Sequence, residues 1–275
     1  MIHPAELAEL EAFRDLYAVA PASLGAGSAE LGGALCLRLE ADPRSAMFNR
    51  VLGLGLQTPA AQGALDRIAS FFGDGLAWAV ALAPQAEPAE LPAWLEHRGY
   101  TSGYGWTKFI RAAGAAQEAA TDLRVERVED GDAFAEAFVR GYGPPEFFRD
   151  WVARLPGRPG WHCFVAFEGA EPAGVGALYV TGPVGWLGIA ATVPEHRRKG
   201  AQSAILAARL DAAVEAGCEV VASDTGEPRW ASPAGRGATS RAPASRRSTC
   251  GRTTSARRTR TRPADSARGG CPRGP

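Results

Sequence analysis

The run Arg197-Arg198-Lys199-Gly200-Ala201-Gln202-Ser203 sets three cations and a glycine where a strand-like segment gives way to a helix-like one. The first turn of a helix has backbone N–H groups without partners and the positive end of the helix dipole. A glycine at that point lets a ligand approach the backbone with no side chain in the way. Three cations there repel one another and the dipole, at roughly tenths of a kcal/mol each, unless an anion sits among them. The combination predicts a site for a phosphate or pyrophosphate. The plainer reading is a solvated basic loop.

Groups able to move a proton are fewer. The strand before the turn, Gly188-Ile189-Ala190-Ala191-Thr192-Val193, carries no carboxylate, and the nearest downstream ones are Asp224 and Glu227 in Ser223-Asp224-Thr225-Gly226-Glu227. Either is a candidate catalytic base, and Asp224 could equally cap a turn. His196 has the side-chain type of a base, but beside three cations it is expected to be exposed and inert. His162, which opens a strand, reads as structural. The five cysteines show neither CxxC nor metal-ligand spacing, so no metal is predicted. Three of them, Cys36, Cys163 and Cys218, lie in apolar strand-like runs as buried free thiols would, in keeping with a reducing cytoplasm.

These residues must be placed by the elements around them. Residues 123–128 alternate as a strand, 130–140 and 146–155 read as helices, and 162–167, 173–181 and 186–193 as three strands. A long helix over 201–216 ends at Gly217 and runs into a strand at 218–223. Strand, two helices, three antiparallel strands and a strand–helix–strand crossover make a mixed α/β (α+β) sheet. Upstream, 4–20 reads as a helix, 34–39 and 51–56 as strands, 60–72 as a helix, 77–82 as a strand and 90–97 as a short helix. Residues 100–110 suit a strand pair, and the small, weakly patterned 112–121 serve as a linker.

Pro194-Glu195-His196-Arg197-Arg198-Lys199-Gly200-Ala201-Gln202-Ser203 resembles the signature of the GNAT superfamily of N-acetyltransferases: Arg or Gln, two residues, Gly, one residue, then Gly or Ala. Arg197 and Gly200 match, while Gln202 stands where the family has Gly or Ala. The likeness in element order spans 122–227. It implies the acyl-CoA N-acyltransferase fold, with splayed strands at the cofactor, and acetyl-CoA as co-substrate. The backbone of Ala191 and Val193 would pair with the pantetheine arm, and a backbone N–H near Val193 would polarise the thioester carbonyl. Arg197, Arg198, Lys199, Gly200, Ala201, Gln202 and Ser203 would hold the pyrophosphate. The acceptor would be a small-molecule or peptide amine.

Residues 47–111 repeat the late order of strand, helix, strand, short helix and strand. Leu95-Glu96-His97-Arg98-Gly99-Tyr100 and the strand after it resemble the closing segment of such domains. The turn equivalent to the cofactor loop, 56–62, has neither Gly nor a cation. Residues 1–111 therefore read as a degenerate second copy, 112–121 as linker, 122–227 as the acetyl-CoA-binding domain and 228–275 as a disordered Arg-rich tail.

The balanced net charge hides an asymmetry. From Arg229 onward there are 12 Arg against one acid, Asp265; taken from totals of 30 basic and 30 acidic residues, this leaves 18 and 29 before it, a net charge of −11. Residues 230–275 contain hardly any apolar side chain. With mostly G/C-rich codons read one base earlier, residues 230–255 become LGEPGRSWRHLARAGFEEVYVRPNYL, an amphipathic helix, Gly-Phe and an alternating strand. A reading-frame shift between about Glu227 and Trp230 is therefore expected, and the tail as written is not a functional element.

No apolar run is long enough to span a membrane, and the helical, acidic N-terminus is no signal peptide, so a cytoplasmic protein is expected. The leading function is acetyl transfer from acetyl-CoA to an amine. The alternatives are a CoA-binding remnant without turnover and, through the tail, nucleic-acid binding. The acidic body and the lack of aromatics among the tail's arginines argue against the latter. Oligomeric state is open.

Overall fold

Two parallel strand–helix–strand crossovers organise the chain, and the computed structural model, which describes residues 4–117, 119–226 and 251–258, joins them in one mixed sheet. The first half runs α1 (Pro4–Ala18), β1 (Ala26–Leu31), β2 (Ala34–Leu39), β3 (Arg50–Leu52), α2 (Gln62–Phe72), β4 (Ala79–Leu82), α3 (Leu91–His97) and β5 (Tyr100–Ala112). The second runs β6 (Arg124–Val128), α4 (Gly131–Tyr142), α5 (Phe148–Val152), β7 (Trp161–Glu168), β8 (Glu171–Thr181), β9 (Val184–Thr192), α6 (Ala201–Glu215) and β10 (Val220–Gly226). A final strand, β11, spans Gly251–Arg258.

The strand order, β1-β2-β3-β4-β11-β5-β10-β9-β8-β7-β6, has an approximate two-fold centre between β11 and β5. Outward from it, β4 and β3 are parallel on one side, and β10 and β9 are parallel on the other. In each half, antiparallel strands follow further out. β5 belongs by sequence to the first half, yet it pairs antiparallel with β10 of the second, from Val220 opposite Ala112 to Gly226 opposite Trp106. β11 does the converse, pairing with β4.

Three apolar clusters fill the layers. α1, α4 and α5 cover one face of the sheet, where Phe134, Phe148, Trp151 and Val175 from the second half meet Leu35, Leu37 and Leu39 from the first. α6 covers the opposite face over Phe164, Leu178 and Leu187. Around α2, Leu65, Ile68 and Phe72 pack on Val51, Trp78 and Val80. The halves are also tied by polar contacts: Trp151 donates to the Leu16 carbonyl (2.7 Å), and Arg158 and Trp161 both donate to Asp15. α4 begins where Asp130 accepts the Asp132 N–H (3.1 Å), and it ends at Gly143 in the left-handed conformation.

The mixed sheet is as expected, with differences of detail. β1 was not anticipated, because Ala-Gly-Ser-Ala-Glu-Leu lacks the β-branched and aromatic residues that mark a strand. Residues 100–110 form part of one long strand and not a pair, since their two partners, β10 and β11, come from far along the chain. The expected linker is tied down, with Ala113 donating to Glu219 and Ala116 to Asp211. Finally, a tail with no element is corrected at Gly251–Arg258: ladder pairing uses main-chain groups, and β4 and β5 both offer them there. The rest of the tail lies outside the described residues.

Candidate active site

β9 and β10 pair only from Val184–Val220 to Leu187–Ser223 and then part. Both strands continue beyond that point, β9 to Thr192 and β10 to Gly226, so a wedge opens in the middle of the sheet. At its mouth β9 bulges: Val175 faces Ala191 and Ala177 faces Gly188, leaving Ile189 and Ala190 opposite Gly176 alone. Ile189 has φ +48, a left-handed conformation costly for a β-branched residue.

The bulge decides which backbone groups face the wedge. The Val193 N–H donates to Ala173 (3.0 Å) and its carbonyl accepts from His196 (3.0 Å). Ala191, two residues earlier in the same antiparallel register, is turned the same way, toward β8. The residues turned toward the wedge are therefore Ala190 and Thr192, one position from the expected pair, because alternation along the strand counts from the bulge.

Beyond Thr192 the chain makes a short 3-10 turn, Pro194–His196, and enters α6. Arg198 (φ +66) and Gly200 (φ +89, ψ 0) both adopt left-handed conformations. A side chain at Gly200 would also press on Thr121, whose hydroxyl donates to the Lys199 carbonyl (2.6 Å). The first intrahelical bond here is Ala204 N–H to Gly200, so the N–H groups of Ala201, Gln202 and Ser203 are left at an uncapped helix end with no acid in its first turn. Arg197 and Arg198 are exposed beside it. Lys199 is drawn aside to Glu168, which also holds His196 Nδ1 at 2.5 Å. The bonds from Lys199 and then His196 keep the Glu168 carboxyl below the usual carboxylate range. Two expectations change as a result. His196 is buried and paired rather than exposed, and one of the three cations has an internal partner, because the β7–β8 turn brings Glu168 beneath the loop.

On the other side of the wedge lies a cavity of ≈ 320 Å³. Its walls come from α1, β3 and the segment before it, β5, α4, α5, β9 and β10, and it reaches Gln202 and Arg209 of α6 through the wedge. Asp224 lies on this wall, half-buried, and accepts the Trp186 Nε1–H (3.2 Å). Burial, followed by the nearby Glu9 charge, pushes its carboxyl up to about 6. Directly across the ladder is Lys108, which is buried and pairs with Glu9 and Glu6. Arg50 pairs with Glu9 at 3.4 Å and lies 4.1 Å over the Phe13 ring. Burial pushes the Glu9 carboxyl up, but Lys108 and Arg50 more than reverse this and leave it lowered. Glu227, the other candidate base, lies outside the described residues.

Sequence reasoning missed Arg209. It is 3% exposed and donates to the carbonyls of Ala177 (3.2 Å) and Gly188 (3.4 Å), on either side of the bulge. Its hydrogen bonds go to main-chain carbonyls, and burial pulls it down to about 10. Its guanidinium carbon lies 2.9 Å from the place a Cβ on Gly176 would take, so a side chain there would press on it. The available signal was a lone Arg on the apolar face of the helix at 201–216.

Residues 128–231 match the acetyltransferase (GNAT) family. The chain carries a GNAT acetyltransferase domain. The likeness in fold extends over both halves. A GCN5-related N-acetyltransferase from Kribbella flavida matches with a TM-score of 0.61 at 15% identity, over 93% of this chain and 96% of that one. Another from Sphaerobacter thermophilus gives 0.52 at 16%, over 82% and 79%. A tandem GNAT protein from the clavulanic acid biosynthesis pathway gives 0.52 at 14%, over 82% and 78%. At such identities the likeness concerns the fold alone. No curated protein sequence matches the chain. Among the described residues, no group of three or more His, Cys, Asp or Glu could hold a metal, and no helix is long and apolar enough to cross a membrane.

Proposed function

We propose that the chain is an N-acetyltransferase that takes its acetyl group from acetyl-CoA and gives it to an amine. The observation that carries this reading is the wedge between β9 and β10, with an uncapped, glycine-led helix end on one side and the raised carboxyl of Asp224 on the other. The residues fit such a ligand. Ala201, Gln202 and Ser203 supply N–H groups, and Arg197 and Arg198 supply charge, for a pyrophosphate. Ala190 and Thr192 offer strand-edge backbone to an amide-bearing arm. When bound, acetyl-CoA supplies an acyl group activated as a thioester.

The chain's own residues then have three tasks. The Ala190 N–H, fixed by the bulge, is set to donate to the acyl oxygen as negative charge develops there. Asp224, raised toward neutral pH, takes a proton from the incoming ammonium, directly or through one water. Arg209 pins the carbonyls of Ala177 and Gly188 and so keeps the bulge in register. The first half contributes Phe13, Phe48 and Arg50 to the acceptor side and has no cofactor loop of its own. On this reading it is the second copy of a tandem pair, kept for shape.

Calorimetry with acetyl-CoA and release of free thiol in the presence of amines test the proposal together. Micromolar binding with amine-dependent thiol release is the expected result. Binding without release from any amine would reduce the chain to a CoA-binding remnant.

A further inference from the structure

We infer that the acceptor is a compact amine with a single positive charge and an aromatic body, of the arylalkylamine class; this rests on the acetyltransferase reading of the same site. Three observations lead there.

The first is size. A cavity of ≈ 320 Å³ is at the small end of ligand pockets, which run from roughly 300 to 1,000 Å³. It can enclose one ring system with a short chain but not an oligosaccharide.

The second is the wall. Phe13, Phe48, Phe138, Phe148, Trp151 and Trp186 all line it. Phe148 stacks on Trp151 with centroids 5.4 Å apart, Phe48 tilts against Phe148 at 4.5 Å, and Phe13 meets Trp186 edge-on at 5.4 Å. Rings held by one another make a rigid slot suited to offset or edge contact with another ring. A hydroxyl-rich body would lose its water against these walls with few polar groups to replace it.

The third is charge. Behind the cavity Lys108 and Arg50 face Glu9 and Glu6, two positive groups against two negative. Asp224 is the fifth member, and its ionisation leaves the group one negative charge in excess. One ammonium restores the balance; a second, carried deeper among the rings, would be a buried charge without a partner. Arg50 is already committed to Glu9 and the Phe13 face, and Arg209 to main-chain carbonyls at the cofactor end. Neither calls for an acidic acceptor.

The test is equilibrium binding to the full chain, read by calorimetry and, for ligands without an indole, by quenching of tryptophan fluorescence, since Trp151 and Trp186 line the cavity. Phenethylamine and tryptamine are compared with spermidine, glucosamine and Nα-acetyl-lysine amide, each with and without acetyl-CoA. The arylalkylamines should bind at least tenfold more tightly than the other three, and Asp224→Asn should weaken them at least tenfold with little effect on acetyl-CoA. Equal or tighter binding of spermidine, glucosamine or the lysine amide overturns the inference. So does arylalkylamine binding that Asp224→Asn leaves unchanged. If acetyl-CoA binds and no arylalkylamine does, the inference falls while the acetyltransferase reading stands. If arylalkylamines bind and acetyl-CoA does not, the acetyltransferase reading falls and the assignment of the cavity survives.

Discussion

Lys108 and Asp224 are cross-strand partners on β5 and β10, so a cation from one half of the chain sits beside the proposed base in the other. β5 replaces the strand that a self-contained second half would need at this edge, and it brings Lys108, with Glu9 and Glu6 from α1 behind it, up to the cavity wall. The first half thus supplies electrostatics as well as walls to a site whose proposed cofactor loop lies wholly in the second.

As the proposed base, the Asp224 carboxyl, at about 6, should set the acid limb of activity. Only the ionised form accepts a proton, so kcat/KM should rise with pH through a midpoint near 6. Asp224→Asn should remove that limb and lower kcat by about 10²–10⁴-fold. The stability effect has the opposite sign. The unfolded carboxyl ionises near 3.8 and the folded one near 6, so stability from this group is present below 3.8 and is lost as pH rises toward 6. Asp224→Asn should therefore be neutral or stabilising at pH 7.5 by thermal melting. A variant that loses stability there would count against the assignment.

Lys108→Met removes the cation that lowers both Glu9 and Asp224. It takes a buried partner from both Glu9 and Glu6, so a loss of about 3–5 kcal/mol is expected by urea titration. The acid limb of kcat/KM should move to higher pH. An unmoved limb would show that Asp224 does not set it.

The turn after β9 shows how much of this was legible and why the rest was not. Gly200 between cations and a helix could be singled out because the features that suggest an anion site are local: a dipole end, a missing side chain and charges within three residues. Asp224 was found as the nearest carboxylate on the next strand, but its height in pKa and its neighbours Glu9 and Lys108 are more than a hundred residues away. That Ala190 and Thr192, and not Ala191 and Val193, turn toward the wedge depends on a bulge, and a bulge is set by pairing with β8 rather than by the residues of β9. His196 was misjudged for the same reason, since Glu168 reaches it across the sheet edge.

Gly188→Ala probes that bulge through its neighbour. A Cβ there would fall 1.9 Å from the Trp186 ring, and the indole must move, taking its N–H from Asp224. Overpacking of this kind costs about 1–3 kcal/mol. Loss of a hydrogen bond to the charged form should raise the Asp224 midpoint further, visible as a second shift of the pH profile. A stable variant with an unchanged profile would place Trp186 outside the chemistry.

Gly200→Glu puts a carboxylate at the proposed pyrophosphate site. Left-handed φ costs about 1–2 kcal/mol for a side chain, which Gly200→Asn shares without the charge. Acetyl-CoA affinity by calorimetry should fall at least a hundredfold for the glutamate and much less for the asparagine, with similar melting temperatures. Equal affinities in the two variants would remove the pyrophosphate from this helix end.

The position of β11 bears on the reading frame. Gly251–Arg258 is seated between β4 and β5, the place related by the sheet's two-fold order to that of β5 between β10 and β11. Strands deep in a sheet read as apolar or alternating runs, and Gly-Arg-Thr-Thr-Ser-Ala-Arg-Arg does neither. The one-base-earlier reading instead puts the alternating EEVYVRPNYL over residues 246–255, overlapping the same place, with an amphipathic helix before it. The order helix, Gly-aromatic and strand is also that of α3, Gly99 and β5 in the first half. We therefore propose that resequencing the source DNA across the codons for Asp224–Ala234 will reveal a gained or lost base. The corrected chain should then melt at a clearly higher temperature than the present one. An unaltered frame would sink the proposal, and the Arg-rich strand would have to be accepted as native.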